Sequence, residues 1–503
     1  MAANRVVLTI DAGTHALKVG AFDPSNGARV GQFVQRPLTV TERGPAGRIK
    51  SQDGRHLTAN MLSAVAEKVS ELSGLGVNAS DIAGIGTSGH MHADFLMRQT
   101  IKGLVPFSPA SMWNCQRNAG MFNMIMNSDS LRDKFIVETG NEPMMRGIFF
   151  KALFRANETP ETWARTTLSL TTNNLLTFAL TGNPVLESSD GISALEPSTA
   201  TYAGRLFKFF GLENKFPQRV IRPGDVAGGV SVPLAIEAGL KKGTVVAAGG
   251  GDQMTALLGN GITKAPGILG LNYGASGVVT AYGENINADP KGRIHYFGDW
   301  LMACCMATGL SVDEWSARTG KSIEELMELA SGVEMGAGGA RFYPWANGIN
   351  HPVKAANTTA KFVGDKGRSQ AELTRAVIDG TNLEMVLCAR MMEEFGARFS
   401  AARMAGGGSK DKTGVIPQTF ADMLGIPVTL NLEPEASSLG AAVAAAVAAG
   451  IYPDTASASS AMVHDGRTYE PRAGFTGLAE EMGQQYYAQV AQDYPEAWAR
   501  YNQ

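Results

Sequence analysis

The sequence predicts an α/β protein of two domains, and three features carry that expectation. At 503 residues the chain is too long for one ordinary core and long enough for two. Short apolar strands bounded by Gly, Asp and Asn alternate with longer helical patterns, which is the order of an α/β protein and not of a sandwich or a bundle. The chain also resembles itself. Val6 to Ile10 alternates as a strand, Asp11-Ala12-Gly13-Thr14 breaks it, and Leu17 to Phe22 resumes a strand; Ile268 to Leu271, Asn272-Tyr273-Gly274-Ala275 and Val278 to Ala281 repeat the plan. Two such strand-turn-strand units suggest domains of related design. No low-complexity linker separates them, so the Gly249-Gly250-Gly251 stretch after Val245 and Val246 marks the boundary, giving domains 1–250 and 251–503.

Composition narrows the partners. Net charge is −3, and no Lys and Arg cluster interleaves with aromatics, so neither nucleic acid nor an anionic membrane is an expected partner. Cys115, Cys304, Cys305 and Cys388 form no CxxC pair and no His group at zinc spacing, which points to a reducing compartment, buried thiols and no structural metal. The first residues run into the strand at Val6 without a charged leader, so no export is expected and the location is cytoplasmic. Leu439 to Ile451 is a mostly Ala run, far short of the roughly 20 apolar residues a bilayer requires, and reads as a buried helix. Gly477 to Tyr501 reads as one amphipathic helix with Leu478, Met482, Tyr486, Val490 and Tyr494 on nearby faces. It packs on its own domain or, alternatively, on a partner subunit of a homodimer.

Five segments carry chemistry, each with a plainer reading beside it. The turn bearing Gly13 and Thr14 offers backbone N–H groups and a hydroxyl, an anion-binding concavity suited to phosphate. Asp11 beside it could hold hydrated Mg²⁺, and Lys18 adds positive charge; the plainer reading is an ordinary β-hairpin. Gly249-Gly250-Gly251-Asp252-Gln253 sets Asp252 at a strand-to-helix junction, as a general base for a sugar hydroxyl or as a simple helix N-cap. Ala405-Gly406-Gly407-Gly408-Ser409-Lys410 suits the close approach of a nucleotide, or is a plain loop. Ser88-Gly89-His90-Met91-His92 and Trp113-Asn114-Cys115-Gln116-Arg117 combine hydroxyl, imidazole, aromatic, amide and guanidinium groups common in sugar sites; a satisfied structural His and core packing of Trp113 are the alternatives.

Taken in order, Asp11-Ala12-Gly13-Thr14, Ser88-Gly89-His90-Met91-His92, Trp113-Asn114, Gly251-Asp252, Gly406-Gly407-Gly408 and Ser438-Leu439-Gly440-Ala441-Ala442 resemble the FGGY carbohydrate kinases over nearly the whole chain. The resemblance implies two actin-like ATPase (ribonuclease-H-like) domains with a deep interdomain cleft, a sugar-binding amino-terminal domain and an ATP-binding carboxy-terminal one. It implies Asp252 as base and Asp11 as the organiser of Mg²⁺, through water. It further implies phosphate contacts at Thr14 and Gly274, adenosine near Gly407 and its neighbours, and a sugar pocket lined by Met91, His92, Trp113 and Asn114. Within the family the Ser-Gly-x-Met-His segment and the Trp-Asn pair are most similar to xylulokinases, so the expected reaction converts D-xylulose to D-xylulose 5-phosphate.

The chain departs from the family pattern at several of these positions. His90 replaces the usual Gln, Ala93 a Gly and Cys115 an Asp, while Gln253 after the expected base is more like glycerol kinases. Ala275 removes a phosphate-binding hydroxyl that Ser276 would have to supply, and the loop after Gly408 is longer than usual and carries Lys410, Asp411 and Lys412. Other acceptors therefore stay open: another ketose, a glycerol-like polyol, or a gluconate-like acid paired with Arg117. A protein that binds nucleotide and sugar without transfer, as a sensor, is the alternative of another class.

Overall fold

Val6–Ala12 is buried at every residue, Thr9 and Asp11 included, as a strand covered on both faces must be, and it lies inside a six-stranded sheet. The computed structural model describes residues 5–44, 49–263, 267–283, 285–346, 348–355 and 357–502. Val6–Ala12 runs antiparallel to Ala16–Phe22 and parallel to Ile82–Gly89, which is in turn parallel to Val245–Gly251. Val34–Pro37 and Val226–Gly229 form the antiparallel edges. On one face Leu8 and Ile10 pack with Leu57, Met61 and Val65 of the helix Gly54–Gly74 and with Leu175 and Leu176 of the helix Thr172–Thr181. On the other, Val7 meets Leu439, Ala442 and Val443 of the helix Ala436–Ala448.

That last helix lies close against its neighbours. A Cβ on Gly86 would sit 1.9 Å from the Ala441 carbonyl oxygen, and one on Gly440 would sit 1.7 Å from the Thr255 carbonyl oxygen. Only glycine at these two positions allows the facing backbones so close. Between Ile82–Gly89 and Val245–Gly251 the chain inserts a three-stranded sheet (Leu168–Leu170, Phe95–Thr100, Gly103–Pro106) and a second core around Phe135, Phe149, Phe150, Phe207 and Phe216. The helix Ile148–Glu158 belongs to this core.

A second sheet of seven strands repeats the plan. Gly267–Tyr273 is antiparallel to Gly277–Tyr282 and parallel to Phe399–Gly406; Phe399–Gly406 is parallel to Val428–Asn431, and Trp300–Cys305 is antiparallel to Gly277–Tyr282. Leaving aside the edge strands Val226–Gly229, His295–Tyr296 and Asp465–Tyr469, the five core strands of both sheets are ordered third, second, first, fourth, fifth, with neighbours among the first three antiparallel and the last two parallel to the first. This is the ribonuclease-H-like plan of the actin-like ATPase fold that the resemblance implied. The long helix Gln370–Glu394, opened by a capping box of Ser369 and Glu372, runs through the core of this second sheet's unit.

Each sheet centres one of two compact units. The first unit takes the described residues up to Thr263, Pro290–Gly292 and Ala436–Val463; the second takes the described residues from there to Asp289, Arg293–Glu435, and those from His464 on. These units differ from a division at 250/251. Val245–Gly251 and the helix Asp252–Gly259 form one strand-helix piece, and the helix Ala436–Ala448 returns to cover the same sheet.

The two expected hairpins are present, with the same correction to each: Asp11 lies within its strand, opposite Lys18, and the turn begins at Gly13, while Asn272 and Tyr273 lie within theirs, opposite Val278 and Gly277, and the turn begins at Gly274. The C-terminal helix is divided into Phe475–Asp493 and Pro495–Asn502, because Pro495 has no N–H to continue a helix and is suited to opening one. Its Met482, Tyr486 and Val490 are buried in the second unit's own core. The four cysteines are free, and three of them, Cys115, Cys305 and Cys388, are buried. Among the described residues no helix is long and apolar enough to cross a membrane.

In the core of the second unit Trp345 donates its indole N–H to the Tyr486 hydroxyl (3.1 Å), which donates to Glu384 Oε1 (2.9 Å). Burial pushes the Glu384 carboxyl from its ordinary 4.5 up to about 8. The folded state therefore holds this proton more tightly than the unfolded chain, so the associated stability is full below pH 4.5 and is lost as pH rises through about 8. Thermal unfolding across that range is expected to show a falling Tm, and Glu384→Gln, which keeps an acceptor for Tyr486, is expected to flatten this part of the curve. Replacing Gly440 by Leu is expected to lower stability by about 3 kcal/mol or more in denaturant titration, since neither facing backbone can withdraw.

Candidate active site

The strand register sets the first part of the site. Asp11 lies opposite Ser88 and Ser88 opposite Gly250, so Asp11 and Asp252 stand at the same edge of the first sheet, where the parallel strands end. This is the edge at which α/β sheets collect their ligands. Asp252 is the first residue of its helix, after the N-cap Gly251. Its carbonyl accepts the hydroxyls of Ser437 (3.0 Å) and Thr255 (3.1 Å), and the Gly251 amide donates to Ser189 Oγ (3.3 Å). Burial, and after it the charge of Asp11, pushes the Asp252 carboxyl up to about 7, against hydrogen bonds from the backbone and side chain of Gln253. A carboxyl that titrates near neutrality can take up and release a proton at physiological pH.

Met91, His92, Trp113 and Asn114 gather in the same unit. A Cβ on Gly251 would lie 2.4 Å from Met91 Cγ, so the glycine seats Met91 directly on the Gly251-Asp252 junction. Trp113 donates its indole N–H to Thr14 Oγ1 (3.0 Å), joining this group to the first hairpin's turn. The turn itself is closed by the Gly13 amide on Ala16 O (2.9 Å). Two buried polar atoms, His92 Nδ1 and Asn114 Oδ1, have no hydrogen-bond partner among the described residues. His90 differs from His92: it lies between Gln52 Oε1 (3.1 Å) and the Thr172 hydroxyl, and burial, then Lys151, pushes it down to about 3. It is the satisfied structural histidine. Cys115 is buried and closes a turn by donating its amide to Met112 O (3.1 Å); half-buried Arg117 follows, where Asn118 is tied to Met145 O (2.6 Å).

Sequence reasoning missed the buried charges that hold these loops. From the helix Ile148–Glu158, Lys151 reaches Ser111 O (2.8 Å), Met112 O (3.0 Å) and His92 O, while Arg155 binds Asp94 (2.8 and 3.2 Å) and Pro109 O (3.1 Å). Asp94 also accepts the Ser111 amide. Glu187 and Asp190 were missed as well. Burial pushes Asp190 up to about 8, opposed by the Thr171 hydroxyl and aided by the charges of Glu187 and Asp252. A signal was available for the cations: Lys151 and Arg155 fall one helical turn apart within an otherwise apolar run.

The second unit brings Gly274, Ser276 and Gly406 to Gly408 together. The Gly274 amide closes its turn on Ser276 O (3.2 Å), as Gly13 does in the first hairpin, and the amides of Gly309 and Leu310 donate to Gly274 O (2.9 Å) and Ala275 O (3.0 Å). Gly406 has φ 90°, with a would-be Cβ 2.6 Å from Tyr273 O, and a Cβ on Gly408 would strike the Tyr273 ring at 2.6 Å. Packing alone accounts for both. At Gly407 the nearest atom to a Cβ is 3.7 Å away, so the protein does not itself demand a glycine there. The longer loop is folded on itself, Asp411 accepting from Thr413 (2.7 Å) and the Ile416 amide (3.0 Å), and Lys410 pairing with Glu435 (3.3 Å).

Residues 6–259 match the N-terminal domain of the FGGY family of carbohydrate kinases and residues 271–449 match its C-terminal domain. The xylulose kinase of Staphylococcus epidermidis is 26% identical over 496 residues, covering 96% of this chain and 95% of that one. Among solved structures, ligand-bound xylulose kinase from Lactobacillus acidophilus has a TM-score of 0.87 and gluconate kinase from the same organism 0.86, each at 18% identity over 98% of this chain and 99% of the other. At that identity the two structures speak for the fold alone. With family matches on both halves and the duplicated fold beneath them, this chain belongs to the FGGY family of carbohydrate kinases and is a phosphotransferase that acts on a hydroxyl group of a sugar.

Proposed function

We propose that this kinase phosphorylates the terminal hydroxyl of D-xylulose, giving D-xylulose 5-phosphate, with ATP as donor and Mg²⁺ as the metal. The observation that carries the proposal is the Asp252 carboxyl, held near neutrality beside Met91 and at the same sheet edge as Asp11. The xylulose kinase of similar length supports the choice of sugar. In this reading the first unit takes the sugar and the second the nucleotide. His92, Asn114 and Trp113 line the sugar site with Met91, Arg117 and Gln253, and the unpartnered His92 Nδ1 and Asn114 Oδ1 meet sugar hydroxyls. Thr14, Gly13, Lys18, Gly274 and Ser276 serve the phosphates, and Gly406, Gly407 and Gly408 the adenosine, with Gly407 the position left clear for it. The reaction belongs in the cytoplasm, where ATP is at hand and four free thiols persist.

Asp252 accepts the proton of the attacking hydroxyl, the sugar oxygen bonds to the γ-phosphorus, and the bridging oxygen leaves with ADP. Asp11 fits a divalent cation held through water, because its carboxylate offers hard oxygen ligands and lies close enough to Asp252 to raise that carboxyl. When bound, Mg²⁺ supplies charge neutralisation of the phosphates. One observation favours a sugar acid as a second reading. Arg146 lies near enough to His92 to lower its pKa, which puts a cation within reach of the same pocket.

An ADP-release panel of D-xylulose, other ketoses, glycerol and gluconate is expected to give D-xylulose the highest kcat/KM by at least about tenfold; gluconate in first place would replace the proposal with the second reading. Asp252→Asn is expected to lower kcat by about 10²-fold or more while sugar binding, read by calorimetry, survives. Unchanged turnover would remove Asp252 from the base role. Because a base acts when deprotonated, kcat/KM is expected to rise about tenfold per unit up to pH about 7 and to level above it.

A further inference from the structure

His92 carries a side chain in a backbone conformation that favours glycine. Its φ is 66°, in the left-handed region, where a Cβ is a steric burden and where outliers cluster at functional sites. A glycine at this position would adopt the conformation without help. The chain instead places an imidazole there and fastens the residue at both ends to buried ionisable groups: its N–H donates to Asp190 Oδ1 (3.3 Å), and its carbonyl accepts the Lys151 ammonium. Neither partner is free to swing away. Asp190 Oδ2 accepts the Thr171 hydroxyl (2.5 Å), which is gripped by Asn174 Nδ2 (2.5 Å), while Asn174 Oδ1 accepts the Glu187 amide (3.0 Å). Lys151 spends its remaining donors on Ser111 O and Met112 O.

The ring that this arrangement presents is neutral, because burial, then Arg146, Lys151 and His90, holds its pKa well below the ordinary value. A neutral imidazole offers one N–H and one lone pair, a match for a hydroxyl that both donates and accepts. Its buried Nδ1 has no partner among the described residues.

We infer that Asp190 is a positioning residue for acceptor binding: together with Lys151 it pins the backbone of His92 in the left-handed conformation that turns the imidazole towards the sugar. The inference rests on the proposed sugar-site role of His92. It names an acceptor oxygen, not a negative charge, as what Asp190 supplies.

Steady-state kinetics with D-xylulose test it, or with whichever sugar of the panel wild type turns over. Asp190→Ala is expected to raise KM for the sugar about tenfold or more, with kcat and KM for ATP within about threefold of wild type. Asp190→Asn, which keeps Oδ1 as an acceptor, is expected to recover KM to within about threefold. In a double-mutant cycle, Asp190→Ala added to His92→Ala is expected to raise KM no further, since both act through one ring. If Asp190→Ala does not fold, Thr171→Val, which releases the other carboxyl oxygen, is expected to raise sugar KM about threefold, and an unchanged KM there would overturn the inference. Independent, multiplying effects of the two alanine variants, or equal losses in kcat and in both KM values, would do the same. Failure of wild type on every sugar would instead sink the proposed function.

Discussion

The fold depends above all on how closely the helix Ala436–Ala448 lies against the first sheet. Gly84 and Gly86 on the strand face the carbonyls of Ala445 and Ala441 on the helix with no room for a side chain, and Gly440 and Gly259 repeat the condition between that helix and Asp252–Gly259. Dispersion gained at such short range is lost steeply with small separations, so the three elements hold one geometry. Ser437, on the same helix, donates to the carbonyl of Asp252. A segment from the far end of the chain therefore helps aim the carboxyl at the sheet's edge.

Buried charge does a different task beneath the sugar-side loops. Lys151 and Arg155 enter from a helix packed in an aromatic core and satisfy backbone carbonyls and Asp94. Desolvating such groups offsets much of what their pairing contributes, so their net effect on stability is small. Their effect on geometry is large, because any loop arrangement that leaves one cation unpaired is strongly disfavoured. Backbone that would otherwise be variable is held in one place, with Met91, His92, Trp113 and Asn114 on it.

The same low-polarity surroundings set the chemistry of the first unit. Burial drives Asp252 and Asp190 towards their neutral forms and does the same to His90 and His92, yet with different consequences for each. His90 is fully partnered and His92 is not, while Asp252 differs from Asp190 in feeling the charge of Asp11. Partner geometry, more than residue type, separates the structural groups from those left for a ligand.

Much was legible in the sequence because it is written in local pattern. The α/β class, both hairpins, the Ala-rich buried helix and Asp252 at a strand-to-helix junction follow from strand and helix periodicity and from glycine placement, which neighbouring residues determine. Family motifs in their order added the duplicated actin-like plan. Tertiary structure alone decided that Asp11 lies inside a strand opposite Lys18, that the helix Ala436–Ala448 belongs with the first sheet, that His90 is partnered and His92 is not, and that Asp94, Lys151, Arg155 and Asp190 lie under the candidate site. Each of these depends on contacts between residues distant along the chain, and a hydrogen bond or a desolvated charge at such a range leaves no periodic trace in the order of amino acids.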